Sequence, residues 1–290
     1  MDNLEVKDLT CTWLIVSAKG EQLSITLPKV VRTFEEFIKV DIYTGDSDPV
    51  YFAVARAAKH FGQDWATRFC VAMLTYYHTG TAVKAANYTG LQFWDYLREV
   101  YSTAPRASER RHFRGPAGMW AINSMAVFSP NPDKFFEQFK PTYAAIKNTC
   151  AAQLEQFGPY FVLKICDYMD RCLGMPISSY TGLATNLPSE PLKALKLMYP
   201  NNSVTGAFEH LVERVQATGL MAAPWFERLA GPAEVETSLC GWKTTKYKGN
   251  WFGADIEDKR LAFKNCGKEG DLMASWMPEV PPRNMFRCEL

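Results

Sequence analysis

The segment Asp48–Gly80, DPVYFAVARAAKHFGQDWATRFCVAMLTYYHTG, sets the fold class. Asp48 offers a side-chain acceptor at a helix cap, and Pro49 takes the first helical position, where its missing N–H costs nothing. The run VYFAVARAAKHF follows at helical spacing and stops at Gly62. Asp64 caps a second run, WATRFCVAMLTYYH, which ends before Gly80.

The same signals recur on both sides. Toward the N-terminus, Thr33 with Glu36 forms a capping-box pattern for a short helix ending near Val40. Before it, Thr10–Ser17 and Gln22–Pro28 are rich in β-branched residues or alternate, with Gly20 between them, and predict a small hairpin. Toward the C-terminus, Thr89 begins LQFWDYLREVY, and Asn131-Pro132 precedes DKFFEQF. Pro141–Phe157 and Pro159–Leu173 read as two helices hinged at Gly158. Further helices are expected at Glu190–Met198, Thr205–Thr218, Pro224–Leu229, Ala233–Leu239 and Asp255–Phe263. The expected fold is mainly α, with the hairpin and short helix in residues 1–40 and one helical domain over 41–290.

Composition narrows the function without naming it. The 290 residues are 47% hydrophobic and 13% aromatic, enough for a sizeable core. The formal net charge is only +1, so any nucleic-acid footprint must be a local basic patch. The eight cysteines include no Cys-x-x-Cys, and the opening residues carry no basic-then-apolar signal. The long uncharged stretches Gly115–Pro132 and Cys172–Ser189 are broken by Gly, Pro, Asn and Ser, so neither reads as a membrane span. A soluble, cytoplasmic protein with reduced thiols is expected.

Several chemistries lack their motif. There is no Gly-rich phosphate loop followed by Lys-Ser/Thr, and the four histidines are scattered with no His-Glu-x-x-His. Gly45-Asp46-Ser47 looks like an esterase nucleophile block, but the Asp-x-x-His it needs near the C-terminus does not occur. No cofactor or metal site is expected, and a metal requirement is left open.

Four local features each have a functional and a plain structural reading. Tyr76–Ala82 places Tyr77 and His78 at the end of an apolar helix, as part of a base or substrate pocket or as an ordinary helix end. Ser108–Gly115 concentrates Arg110, Arg111 and Arg114, whose forks suit a phosphate or diphosphate, or which simply form salt bridges in a solvated loop. Leu154–Asp167 is a helix–Gly158–helix hairpin able to present backbone N–H groups to a DNA phosphate, although such hairpins occur in any α protein. Glu236–Lys243, continuing to Ile256, gives Trp242 and Trp251 to a base and Lys243 to a phosphate, or is a flap whose tryptophans fill the core.

Taken in order, these segments resemble the phage amino acid:DNA transferases, the α-glutamyl/putrescinyl thymine pyrophosphorylase group, especially its second clade. The residues that carry the resemblance are Asp48-Pro49-Val50-Tyr51, the Tyr77-His78-x-Gly80-Thr81-Ala82 block and Glu109-Arg110-Arg111-x-x-Arg114, followed by Gly158-Pro159-Tyr160-x-x-x-Lys164-x-x-Asp167 and Glu236-x-x-Leu239-Cys240-x-Trp242-Lys243 with Gly253-x-Asp255-Ile256. They span about residues 41–260, leaving the hairpin outside.

The resemblance implies a helix-hairpin-helix DNA glycosylase-like fold and a phage enzyme working in the host cytoplasm. Its substrates would be double-stranded DNA carrying pyrophosphorylated 5-hydroxymethyl-deoxyuridine and a free amino acid such as glycine or serine, with no membrane partner. On that basis Asp167 or Glu236 would be the general base, and Arg110, Arg111, Arg114 and Lys243 would hold the departing diphosphate. Tyr77, His78 and Trp242 would line the base pocket, and Gly158, Tyr160 and Lys164 would contact DNA. The alternatives are a base-excising glycosylase of the same lineage and a non-catalytic helical DNA-binding protein.

Overall fold

The computed structural model describes residues 9–105, 113, 115–264 and 266–290. The chain opens with the expected hairpin, β1 (Thr10–Val16) antiparallel to β2 (Gln22–Pro28), with Trp13 opposite Ile25 and Leu14 opposite Ser24. Alternation decides its faces: Trp13, Ile15 and Leu27 are buried, whereas Thr10, Thr12 and Leu14 look outward. A second β element was not read from the sequence. β3 (Val30–Val31) pairs in parallel with β4 (Arg287–Cys288), two residues on each side and too short to leave a pattern.

Helices make up most of the remainder. The capping box of α1 (Phe34–Thr44) is complete: the Thr33 hydroxyl accepts from Glu36 N, and the Glu36 carboxylate accepts from Thr33 N. This helix runs past Val40, where the sequence reading ended it, and stops at Gly45 in the left-handed region. α2 (Pro49–His60), α3 (Gln63–Tyr76) and α5 (Gly90–Glu99) fall where expected, with α4 (Thr79–Ala86) as an unforeseen short helix before α5. α6 (Gly115–Phe128) was also missed, because an uncharged helix shows little amphipathic alternation. The segment after Asn131-Pro132 forms two 3₁₀ turns, Pro132–Lys134 and Phe136–Gln138, in place of one helix.

The predicted hairpin about Gly158 is made of α7 (Tyr143–Gln153), shorter than expected, and α8 (Pro159–Asp167), which continues as a wider helical turn through Cys172. After α9 (Ser189–Met198) and α10 (Val204–Ala217), the helix expected at Pro224–Leu229 is irregular chain. The short helix expected at Ala233–Leu239 extends to seventeen residues as α11 (Pro232–Lys248). Gly241 reads as a stop in sequence. It sits inside α11 instead, with an added Cβ only 3.5 Å from the Phe37 ring, and the helix ends at Gly249, where φ is 67°. α12 (Ala254–Phe263) and α13 (Gly267–Ser275) complete the set.

The chain divides into two compact units: residues up to Phe52 with Ala184–Asp258 and Pro278–Leu290, and Ala53–Leu183 with Lys259–Met277. In the first, α1 lies against α11, and the hairpin is tied down by Ala18 N donating to Pro224 O at 2.9 Å. The core of the second gathers Trp65, Phe69, Phe93, Trp94, Phe135, Phe136 and Phe263.

Among the glycines of the first unit, Gly45 has the least room for a side chain. Its φ is 77°, and an added Cβ would lie 2.4 Å from Pro278 Cγ. Gly45→Ala combines left-handed strain with overpacking and is expected to cost about 2–4 kcal/mol in urea unfolding. A loss below about 0.5 kcal/mol would show that the turn relaxes freely.

Candidate active site

In the second unit the geometry centres on α8. Its cap, Gly158, has no side chain and Pro159 has no N–H, so the cap residue supplies no oxygen to the first amides of the helix. Six residues on from Gly158, Lys164 Nζ lies 3.0 Å from Asp167 Oδ2, and the two side chains are 5% and 0% exposed. This i,i+3 pair lies in the interior, where leaving either charge without its partner costs far more than on a surface.

Beyond Asp167 the helix widens by one turn over Tyr168–Cys172, with Leu173 N donating to Tyr168 O at 2.9 Å across five residues. Such turns redirect side chains and are frequent at functional sites. Here the turn buries Asp170 and Arg171 beside Asp167 in the chain, two charged groups that sequence reasoning did not select.

The Tyr77–Ala82 block packs in the same unit. Tyr77 ends α3 with φ at 49°, an unusual conformation for a residue with a large side chain. The Lys259 ammonium lies over its ring at 5.1 Å. His78 caps α4: its Nδ1 accepts from Thr81 N at 3.1 Å, which places the proton of the neutral ring on Nε2. Gly80 permits close approach, since an added Cβ would meet Cys266 Sγ at 2.4 Å and Ala262 O at 2.7 Å. Burial, followed by the nearby Tyr77 and Tyr160 hydroxyls, pushes the Tyr168 phenol well above its usual range and keeps it neutral. Tyr77 and Tyr160 thus bear electrostatically on Tyr168, next to Asp167 in the chain.

Arg110, Arg111 and Arg114 lie outside the described residues. Phe113, between them in sequence, is buried and stacks on Phe161 of α8 at 4.3 Å with 18° between the rings; its N–H donates to Thr75 O at 3.3 Å.

Glu236, Trp242 and Lys243 belong to the first unit, on α11. Glu236 is buried, with the Thr237 hydroxyl 3.5 Å from its Oε2. Trp242 is buried and carries the Lys246 ammonium 4.8 Å from its ring centre. Lys243 pairs with Glu190 of α9. Hydrogen bonds from Lys193 and Lys243 hold the Glu190 carboxyl down at about 2.

The same unit holds buried acids that sequence reasoning passed over. Asp41 Oδ2 accepts from Ser238 Oγ at 2.7 Å, and burial, with Asp46 beside it, raises its carboxyl well above the ordinary range. Asp46 Oδ1 accepts from the Asp255 and Ile256 N–H groups at 3.1 and 3.2 Å, at the start of α12. Burial raises Asp46 to about 6 against the pull of those amides. The available signal was Asp46-Ser47-Asp48 before a helix, dismissed with the esterase motif. Among the described residues, no three His, Cys, Asp or Glu side chains are grouped to hold a metal ion, and no helix is long and apolar enough to cross a membrane.

This is a helical protein with buried charge pairs and a hairpin whose open helix N-terminus faces no capping side chain of its own. Residues 39–250 match the amino acid:DNA transferases, and the chain belongs to that family. It is therefore a transferase, and the family's substrates are an amino acid and DNA. It is 31% identical to a putrescinyltransferase of Delftia phage PhiW-14 over 255 residues, covering 84% of this chain and 82% of that one. It is also 26% identical to a glycinyltransferase of Pseudomonas phage PaMx11 over 290 aligned residues, covering 86% and 97%. The match includes every predicted site residue; Lys259 falls just beyond it.

Asp46 gives a pH test of this interior. Its folded value of about 6 lies above the unfolded value of about 3.9, so between those limits the folded chain holds the extra proton. Stability from this group is therefore lost as pH rises from about 4 to 6, by about 3 kcal/mol. Asp46→Asn keeps the acceptor oxygen and removes the titration. The variant should gain on the wild type by that order between pH 4 and 7 in urea unfolding, whereas a constant difference would mean Asp46 is ordinary in the folded state.

Proposed function

We propose that this transferase attaches an amino acid to pyrophosphorylated 5-hydroxymethyl-deoxyuridine in double-stranded DNA, in the cytoplasm of a phage-infected host. The nitrogen lone pair of the amine attacks the 5-methylene carbon, the C–N bond forms, and the C–O bond to diphosphate breaks. One proton leaves the nitrogen, and diphosphate departs with the bonding electrons.

The protein has little covalent work in such a step. Diphosphate is a good leaving group, and the gain comes from cations fixed where its charge grows. Arg110, Arg111 and Arg114 are assigned that role with Lys243, which must share or release Glu190 to perform it. Asp167 is assigned as the base that takes the proton, oriented by Lys164, with Glu236 the next carboxylate in line. Tyr77, His78 and Trp242 are assigned to the extruded base. The N–H groups that open α8 after Gly158, with Tyr160, are assigned to the DNA backbone.

One observation carries this reading: Phe113, inside the arginine segment, stacks on the helix that bears Asp167. That contact of Phe113 supports reading the arginine segment together with Asp167. The two relatives are named for a diamine and an amino acid, so the nucleophile is proposed to be an amino acid such as glycine or serine.

The test is incubation with pyrophosphorylated hydroxymethyluracil DNA and mixed amino acids, followed by mass measurement of the released nucleosides. Diphosphate release with a nucleoside that carries the amino acid through its nitrogen supports the reading. An abasic product points to a glycosylase, and binding without turnover to a scaffold. In single-turnover assays, Arg110→Ala and Arg111→Ala should each slow transfer by roughly 10²–10³ while DNA binding falls less. Asp167→Asn should lose about 10²–10⁴ and recover part of it at higher pH, where more amine is free. Unchanged transfer by Asp167→Asn at neutral pH would remove it as the base.

A further inference from the structure

On a chain of formal charge +1, positive charge is concentrated along two neighbouring helices. From Glu190 to Met198, α9 carries Lys193 and Lys196 against the single acid Glu190. From Trp242 to its end at Lys248, α11 carries Lys243, Lys246 and Lys248 and no acid at all. Glu190 joins the two sets, because its carboxylate is held by Lys193 at 2.7 Å and also by Lys243. Five lysines therefore share one carboxylate, a formal +4 over two stretches of helix.

The outer end of this patch combines charge with exposed aromatic surface. Lys246, Tyr247 and Lys248 are all exposed. The Lys246 ammonium lies 4.8 Å from the Trp242 ring centre and 5.7 Å from that of Tyr247, and the Tyr247 ring is 54% exposed. Contact with the rings restrains a side chain that would otherwise lose rotamer freedom on binding, while its charged end stays in water. Cations along a helix with an aromatic among them suit the regularly spaced phosphates of a nucleic-acid backbone. A small anion would use one or two of these charges and leave the rest unanswered.

We propose that Lys246 and Lys248, exposed on the last turn of α11, grip the phosphate backbone of duplex DNA outside the reacting base. The inference rests on DNA being the substrate and adds a contact surface in the first unit, separate from the α7–α8 hairpin. Lys243 and Lys193 are held by Glu190, whereas Lys246 and Lys248 at the helix end are exposed beside the Tyr247 ring.

The experiment uses the full chain and a fluorescent duplex of ordinary, unmodified DNA, with binding followed by anisotropy from 50 to 200 mM salt. Each phosphate contact contributes about 0.9 to the slope of log affinity against log salt. The Lys246→Gln/Lys248→Gln variant is expected to bind more weakly to every duplex sequence and to lose roughly 2 from that slope. Lys134→Gln, which removes a surface lysine paired with Glu137 in the other unit, should keep the wild-type slope. An unchanged slope in the double variant, or a wild-type protein that does not bind the duplex, would overturn the proposal. No diphosphorylated base or amino acid enters the assay. A reduced slope in a protein that releases no diphosphate would therefore uphold this surface and reject the proposed transfer chemistry.

Discussion

A carboxylate taken out of water must be met by donors that replace its hydration, and in both units the helices are arranged around such donors. Asp46 takes two backbone N–H groups at the start of α12, and Asp41 takes the Ser238 hydroxyl from α11. Asp167 takes the Lys164 ammonium within its own helix, and Asp133 takes Arg68 at 2.5 Å. Glu234 accepts from both terminal nitrogens of Arg228 and from Gly231 N at 2.8 Å. Apart from the Lys164–Asp167 pair inside α8, these contacts tie a helix start or join separate segments, and a hydrophobic replacement could fill the space but not set the same geometry. Interiors of this kind are retained for specific arrangement more readily than for stability.

That arrangement suits transfer to a base. The chemistry assigned to the chain asks for one proton acceptor and several fixed cations, all shielded from water that would compete with the amine as nucleophile. Asp167 and Lys164 lie in such an interior, on a helix whose start at Pro159 is exposed and whose last turn opens into the wider Tyr168–Cys172 segment. Tyr77 holds an unfavourable backbone angle next to His78, which is occupied in capping α4. Costs of this order persist where the surroundings over-determine the conformation.

Helices with a conventional cap were legible in the sequence: Thr33 with Glu36, Asp48-Pro49 and Thr89 all mark real starts within a residue or so. Those missed lacked such marks. α4 is capped by His78, a residue type that does not announce a helix, and α6 has no charged face to set against its apolar one. Gly241 misled for the opposite reason, since a glycine inside a helix is tolerated once Phe37 packs against it. At the site, the segments carrying Tyr77, Tyr160 and Asp167 could be picked out by type and order. The burial of Tyr168 beside Asp167 could not, because it depends on the wider turn after Asp167. Asp46 was equally hidden, for its role comes from amides more than two hundred residues away.

The pairing of β3 with β4 bears on how the chain assembles during synthesis. Arg32 and Glu289, joined by a hydrogen bond beside that pairing, are 257 residues apart. At about 5–20 residues per second, a ribosome needs roughly 13–50 s to deliver the second partner after the first. The segment Ala53–Leu183 is one uninterrupted stretch and can begin to collapse while synthesis continues. The first unit instead collects three separated segments and must hold Val30–Val31 unpaired until Arg287 and Cys288 emerge. The slow partner in assembly is thus the unit that carries Glu236, Trp242 and the lysines of α11, which is complete only once Arg287 and Cys288 have emerged.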